Sequence, residues 1–476
     1  MAMVTTATAD KGQTASFRDP GGQVILCGDR VFRVLNAEGR REFEAFLGTR
    51  AAAGFVESGR IAKARVVEGR DELPVALAGG LTLEHERIAF ASFPYEWPPE
   101  MLHAAAQLTL EMAQTALNEG FGIKDATPYN VLFRGPEPVF VDWLSFERRD
   151  PCDPIWLAEA QFSRTFLLPL QAGRYLHLRP DQLLLGARDG IEPRELYPLL
   201  GRIRRLRPPF LSLVTAPAWL GGHHDPGDTS IYNRRRVADP DQARFILAST
   251  FRRLGRQLAR VEPPRRDSNW SGYRESRGHY SGEQAGAKEA FVEAALQSAR
   301  PRRVLDVGCN TGHFSEMAAT SGASVVSIDL DPVVAGRLWR RSRQARLDIL
   351  PLVVDLSRPT AATGWRNSEC PSFLDRARGS FDLVLMLAVI HHMLVTERIP
   401  LPEILSQVAE LTTALAVVEY VGPGDPMFRR LTRGRDHLHR DLTPEFFERE
   451  CRRNFRIERI EPLAGTERRL YVLSRP

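Results

Sequence analysis

The chain has 476 residues, 43% of them hydrophobic, enough to fill two or three cores without covalent staples. Its five cysteines, Cys27, Cys152, Cys309, Cys370 and Cys451, are odd in number and lack CxxC spacing. That pattern disfavours a disulfide framework and a zinc site, so no metal is expected and the setting reads as reducing and cytoplasmic. The net charge of +5 is carried by arginine, with lysine only at positions 11, 63, 124 and 288. Clusters such as RIRRLR (202–207) are interleaved with apolar or acidic residues and read as solvated faces, which argues against a nucleic-acid partner. The N-terminus is polar, and no apolar run approaches the roughly 20 residues that span a bilayer, so no membrane partner is expected either.

In chain order, residues 1–20 read as a disordered N-terminus. QVILCG and RVFRVL flank the turn Gly28-Asp29 as a strand pair, and EGRREFEAFLGTRAAAGF follows as a helix. RIAFASF (87–93) reads as a strand, and residues 98–120 as a long helix with proline at its start and glycine at its end. Residues 21–150 therefore form an α+β region, and 151–265 a helical continuation broken by prolines. The segment VEPPRRDSNWSG (261–272) is the best boundary. From 266 to 476 helix and strand alternate regularly, which predicts an α/β unit. Its expected core is a seven-stranded, mainly parallel, doubly wound sheet that ends in the antiparallel pair RIERIEP and RRLYVLS.

VLDVGCNTGHFS (304–315) lies where a strand of that sheet meets a helix, the place where a ligand reaches exposed backbone N–H groups. Gly308 and Gly312 clear side chains from a close backbone approach, and Asn310 tolerates a left-handed backbone. A dinucleotide loop in this register would want glycines at 310 and 313, where Asn310 and His313 stand. Asp306 lies two residues before the first glycine. Asp329 closes the next strand about 20 residues on, where a carboxylate can accept both ribose hydroxyls. Asp355, with Leu356 beside it, closes a third strand. Asp331, beyond the strand end and before Pro332, reads instead as a helix N-cap. At the end of the fourth strand, LAVIHHM carries His391 and His392, which strand geometry would point to opposite sides. Either may act as a base, or both may satisfy backbone groups. Glu419, ending VVEY, is a second candidate for orienting an acceptor or pairing with His391, against a structural role. Trp270, Tyr273 and Tyr280 could form a lid that stacks on an acceptor, or pack between domains.

Nearly the whole chain resembles bacterial class I methyltransferases of the host-specific nodulation protein type. The resemblance rests on KDATPYNVLFRGPEPVFVDWLSFE, QFSRTFLLPL, NWSGY, VLDVGCNTGHFS, ILPLVVDLSRP, GWRNSE, LAVIHHM and ERRLYVL. It implies a Rossmann-like methyltransferase fold and S-adenosylmethionine as cofactor. It further implies that Asp306 holds the methionine end and that Asp355 recognises the adenine amino group. The expected reaction is methyl transfer to an oxygen or nitrogen of a small molecule. Alternatives are a carrier-bound or protein acceptor docked by the N-terminal module, and a protein that binds the cofactor without catalysis. The sequence fixes no oligomeric state.

The stretch DATPYNVLF followed by VFVDW also resembles the catalytic and metal loops of aminoglycoside-phosphotransferase-like kinases. That resemblance implies a base at Asp125 and magnesium ligands at Asn130 and Asp142, with Arg33 where those kinases carry a phosphate-binding lysine and Glu42 or Glu44 as its helix partner. A glycine-rich strand turn is missing and arginine does not simply replace that lysine. The N-terminal region is therefore expected to be a kinase-like scaffold turned binding or structural module, with an active phosphotransferase or ATP-binding module, and an unrelated α/β fold, as alternatives.

Overall fold

A computed structural model describes residues 13–16, 18–67, 81–220, 236–268 and 282–476. The N-terminal half begins with an antiparallel five-stranded sheet in the order β1-β2-β3-β5-β4, made by β1 (Gln13–Ser16), β2 (Gly22–Cys27), β3 (Arg30–Leu35), β4 (Ala64–Val66) and β5 (Leu81–His85). Gly28, at φ +54°, makes the turn between β2 and β3. The first strand falls within the segment read as disordered: it pairs through its backbone along the edge of β2, which requires no apolar alternation.

The helix after β3 is two helices, α1 (Ala37–Leu47) and α2 (Arg50–Glu57), because Thr49 caps the second by accepting from the Ala52 N–H. Phe43 and Phe46 of α1 pack on Trp143 and Phe146 beneath the sheet. The long helix α3 (Pro99–Leu117) is buried along most of its length. RIAFASF forms no strand; the pairing ends at His85, and the aromatics that follow dock elsewhere. Below α3 lie the short pairs β6 (Phe121–Ile123) with β9 (Phe146–Arg148) and β7 (Val131–Arg134) with β8 (Glu137–Phe140). Short helices occupy most of 159–220, and the helix Pro240–Arg260 returns to pack on α3, where His103 meets the Leu258 carbonyl at 3.2 Å.

The C-terminal sheet holds β10 (Arg303–Val307), β11 (Ser324–Asp329), β12 (Ile349–Val353), β13 (Phe381–Met386), β14 (Thr412–Val421), β15 (Arg456–Pro462) and β16 (Arg468–Ser474) in the order β12-β11-β10-β13-β14-β16-β15. The first five are parallel, and β16 runs antiparallel between β14 and β15. The apolar runs VLDV, VVSI and LVLM are buried on both faces, as helices on either side require. The chain steps outward from β10 to β11 and β12, then crosses back to β13. The carboxyl ends of β10 and β13 therefore border the crevice where ligands of such sheets sit.

The two halves share one continuous core. Phe90 of the first stacks against Phe373 and Phe381 of the second, each at 5.9 Å between centroids. Glu96, fully buried, accepts from Thr360 at 2.5 Å and from the Arg376 guanidinium. The helix Pro332–Ala345 lies on α3: its Trp339 indole donates to the Pro136 carbonyl at 2.9 Å, and Arg340 meets Glu100 at 3.1 Å.

Candidate active site

A cavity of about 400 Å³ opens at the carboxyl ends of β10 to β13. It is lined by the β10 loop from Asp306 to Thr311, by Asp329 and Leu330 after β11, by Asp355 and Leu356 after β12, and by His391 and His392 beyond β13. The sequence candidates for the cofactor thus converge on one place, except that Gly312 stands just behind the lining.

The β10 loop is built by its backbone demands. Gly308, Asn310 and Gly312 take φ of +68°, +49° and +84°, the left-handed region. A Cβ on Gly308 would meet Val389 at 2.4 Å, and one on Gly312 would meet Leu338 at 2.3 Å. Asn310 anchors the turn by donating its backbone N–H to Asp329 Oδ2 at 2.9 Å, while Asp329 Oδ1 takes the Asp331 N–H at 2.9 Å. Leu330 adds a third backbone N–H to the same carboxylate, which still has acceptor capacity toward the cavity. Burial pushes the Asp329 carboxyl up to about 6. Asp306, also buried, is likewise pushed up to about 6 by burial, although the Ser315 hydroxyl donates to it at 2.5 Å and opposes the shift. Asp355 accepts from the Ser357 N–H at 2.9 Å. Asp331 caps the next helix by accepting from the Val333 N–H at 2.8 Å.

This donor set fits S-adenosylmethionine. Two buried carboxyls carry no cationic partner strong enough to offset their burial, so their environment favours hydroxyl or ammonium donors, and the left-handed loop leaves a cradle that side chains would fill.

His391 and His392 are on a helix, Ile390–Val395, and not at a strand end. Strand β13 stops at Met386, and Ala388, at φ +56°, turns the chain into that helix. Their rings lie 4.3 Å apart at the cavity wall instead of on opposite faces. His391 is buried, its Nδ1 has no hydrogen-bond partner among the described residues, and burial, helped by His392, pushes its pKa down to about 3. It is a neutral imidazole at physiological pH.

Glu419 is fully buried inside β14 and does not hydrogen-bond His391. It accepts from Lys288 at 2.6 Å and from Arg468 at 3.0 Å, and Arg468 also grips Asp425 at 2.7 Å. The proposed orienting carboxylate is thus the centre of a four-charge chain tying together the helix Gly282–Ala299, β14, β16 and the helix Pro426–Thr432. Lys288 lines the cavity, as do Glu289 and His313, which pair at 2.7 Å. Sequence reasoning missed all three as site residues: on an exposed-looking helix Lys288 reads as solvated, and its partner is 131 positions away. Trp270, Tyr273 and Tyr280 lie outside the described residues.

In the N-terminal half, Asp125, Asn130 and Asp142 come together, but around an arginine. Arg33 donates to Asp142 at 2.5 Å and lies 3.7 Å from Asp19; Ser145 donates to the other Asp142 oxygen at 2.5 Å. Burial alone would raise the Asp142 carboxyl, yet Arg33 and Ser145 hold it below the usual range. Asn130 spends its amide on the Asp125 carbonyl and the Ser145 hydroxyl. Glu42 and Glu44 take the Arg148 N–H and Arg40, not Arg33. Beside the cluster His85 is buried and pushed down to about 4, chiefly by burial and then by Arg33.

Residues 278–450 match the family model of a methyltransferase domain. The chain is 29% identical over 483 residues to nodulation protein NoeA of Rhizobium meliloti, covering 99% of this chain and 98% of that one. It is 28% identical over 142 residues to the O-antigen chain terminator bifunctional methyltransferase/kinase WbdD of Escherichia coli, covering 29% of this chain and 18% of that one. Among solved structures, the N-methyltransferase NodS of Bradyrhizobium japonicum matches at 14% identity and TM-score 0.31, covering 41% of this chain and 98% of that one.

Proposed function

We propose, taking the methyltransferase domain of residues 278–450 as the premise, that the 400 Å³ cavity binds S-adenosylmethionine and that the protein methylates an oxygen or nitrogen of a small-molecule acceptor. The observation that carries this reading is the convergence of Asp306, Asp329 and Asp355 on one cavity floored by the left-handed Gly308–Gly312 loop. When bound, the cofactor supplies a methyl group already activated on a sulfonium. The protein's task is then alignment. Asp329 would accept the two ribose hydroxyls, Asp306 would hold the methionine end, and Asp355 and Leu356 would border the adenine.

His391 fits a hydrogen-bond acceptor for the attacking atom. Burial keeps its ring neutral, so one ring nitrogen is unprotonated at physiological pH; Nδ1 is itself buried, which leaves Nε2 as the nitrogen that would orient an O–H or N–H of the acceptor and ease departure of its proton. Calorimetric titration with S-adenosylhomocysteine tests the core of the reading: the folded protein should bind it at a single site, and absence of binding overturns the assignment.

A further inference from the structure

The segment from Leu196 to Gly222 contains no acidic residue; the nearest are Glu195 and Asp225. It does contain Arg202, Arg204, Arg205 and Arg207, of which only Arg205 is half-buried. Between and after these arginines stand Leu199, Ile203, Leu206, Trp219 and Leu220, all large, apolar and 52% to 69% exposed. Solvated faces do not have this composition. A scattered exposed leucine needs no explanation, but a contiguous group of this kind marks a surface that meets something else.

The group is contiguous. Leu199 ends one short helical turn, and after an extended break at Leu200 and Gly201, Ile203 and Leu206 lie on and at the end of the next. Trp219 comes back onto the same ground: its indole donates to the Tyr197 hydroxyl at 3.1 Å, and the Arg205 guanidinium lies 4.0 Å over the Tyr197 ring. Beneath it Phe210, Leu213 and Val214 are buried and join the main core, so the patch is carried on a fixed base.

We propose that this face seats the protein on an anionic lipid surface. Exposed apolar side chains that include a tryptophan, interleaved with arginines in a segment that itself carries no carboxylate, suit the boundary between acidic headgroups and acyl chains. Charge argues against a second copy of the chain in two-fold pairing, because each arginine cluster would face its own image. The face is separate from the cofactor cavity, which none of these residues lines.

Co-sedimentation of the full chain with vesicles tests the proposal. The protein should pellet with phosphatidylglycerol-containing vesicles, stay in solution with pure phosphatidylcholine, and dissociate as salt rises. Arg202→Gln, Arg204→Gln and Arg207→Gln together should lower partitioning by about fivefold per arginine. Ile203→Ser with Leu206→Ser should lower it by about tenfold or more. Because all five side chains are exposed, folding and S-adenosylhomocysteine affinity should not change in either variant. Absence of binding to anionic vesicles overturns the proposal, as does equal partitioning of the variants. Concentration-dependent self-association abolished by Ile203→Ser would assign the face to a second copy and also overturn it.

Discussion

Replacing Asp329 by asparagine should weaken the cofactor site while leaving the fold close to wild-type stability. In the free protein this carboxyl is buried and pushed up from its ordinary 3.8 to about 6. A folded-state pKa above the unfolded one means that this group's contribution to stability is full below about pH 4 and is lost as pH rises through 6. At pH 7 the ionised carboxylate therefore costs the fold on the order of 2 to 3 kcal/mol. Asparagine removes the buried charge but keeps one acceptor oxygen for two N–H donors, those of Asn310 and Asp331, and the lost bond of about 1 to 3 kcal/mol offsets much of the gain, so Asp329→Asn should unfold close to the wild-type temperature at pH 7. Cofactor binding should weaken. Two charge-assisted hydrogen bonds to ribose hydroxyls are worth together about 2 to 3 kcal/mol, or roughly 30- to 150-fold in Kd. The pH dependence supplies a second reading. Asp306 and Asp329 are both raised to about 6, so wild-type affinity for S-adenosylhomocysteine should fall as pH drops from 7 to 5, by roughly tenfold for each carboxyl that must be ionised. In Asp329→Asn one of those contributions disappears and the slope should halve. Calorimetry at pH 5, 6 and 7 measures all of this. An affinity within threefold of wild type, or an unchanged pH slope, would refute the role given to Asp329.

Three further outcomes are expected. His391→Ala should lower turnover by about tenfold to a hundredfold while leaving S-adenosylhomocysteine affinity within twofold; a matching loss of affinity would make the histidine structural. Glu96→Ala leaves the Arg376 guanidinium buried without its carboxylate, and denaturant unfolding should show a loss of about 3 to 5 kcal/mol, whereas a loss below 1 kcal/mol would contradict the buried pairing. Because Arg33 already occupies Asp142, titration with magnesium and ATP should give neither binding heat nor hydrolysis, and turnover would show that the N-terminal cluster is catalytic.

That Asp306, Asp329 and Asp355 meet at one sheet edge was readable from sequence because the arrangement obeys local rules. Strand-end acids recur where apolar runs stop, and a left-handed loop announces itself through Gly308, Asn310 and Gly312. The surroundings of His391 and Glu419 were not. Strand β13 stops at Met386 and the chain turns at Ala388, an alanine with positive φ that no turn preference flags, so the histidines read as a strand end although they stand on a helix. Glu419 looked like a free strand-end carboxylate because its partners, Lys288 and Arg468, come from elements far away in the chain. RIAFASF alternates like a strand, but its aromatics answer to Phe373 and Phe381, and tertiary docking produced a pattern that pairing did not.

The helix Pro332–Ala345 makes the protein hard to divide. Its first turn, capped by Asp331, continues directly from the carboxylate at Asp329, while two turns later Trp339 and Arg340 are fastened to Pro136 and Glu100 in the other half. The methyltransferase part is therefore not a cassette that could be grafted elsewhere: cut free near residue 266, it would bare the flank of the same helix whose Leu338 backs the Gly312 turn of the cavity loop.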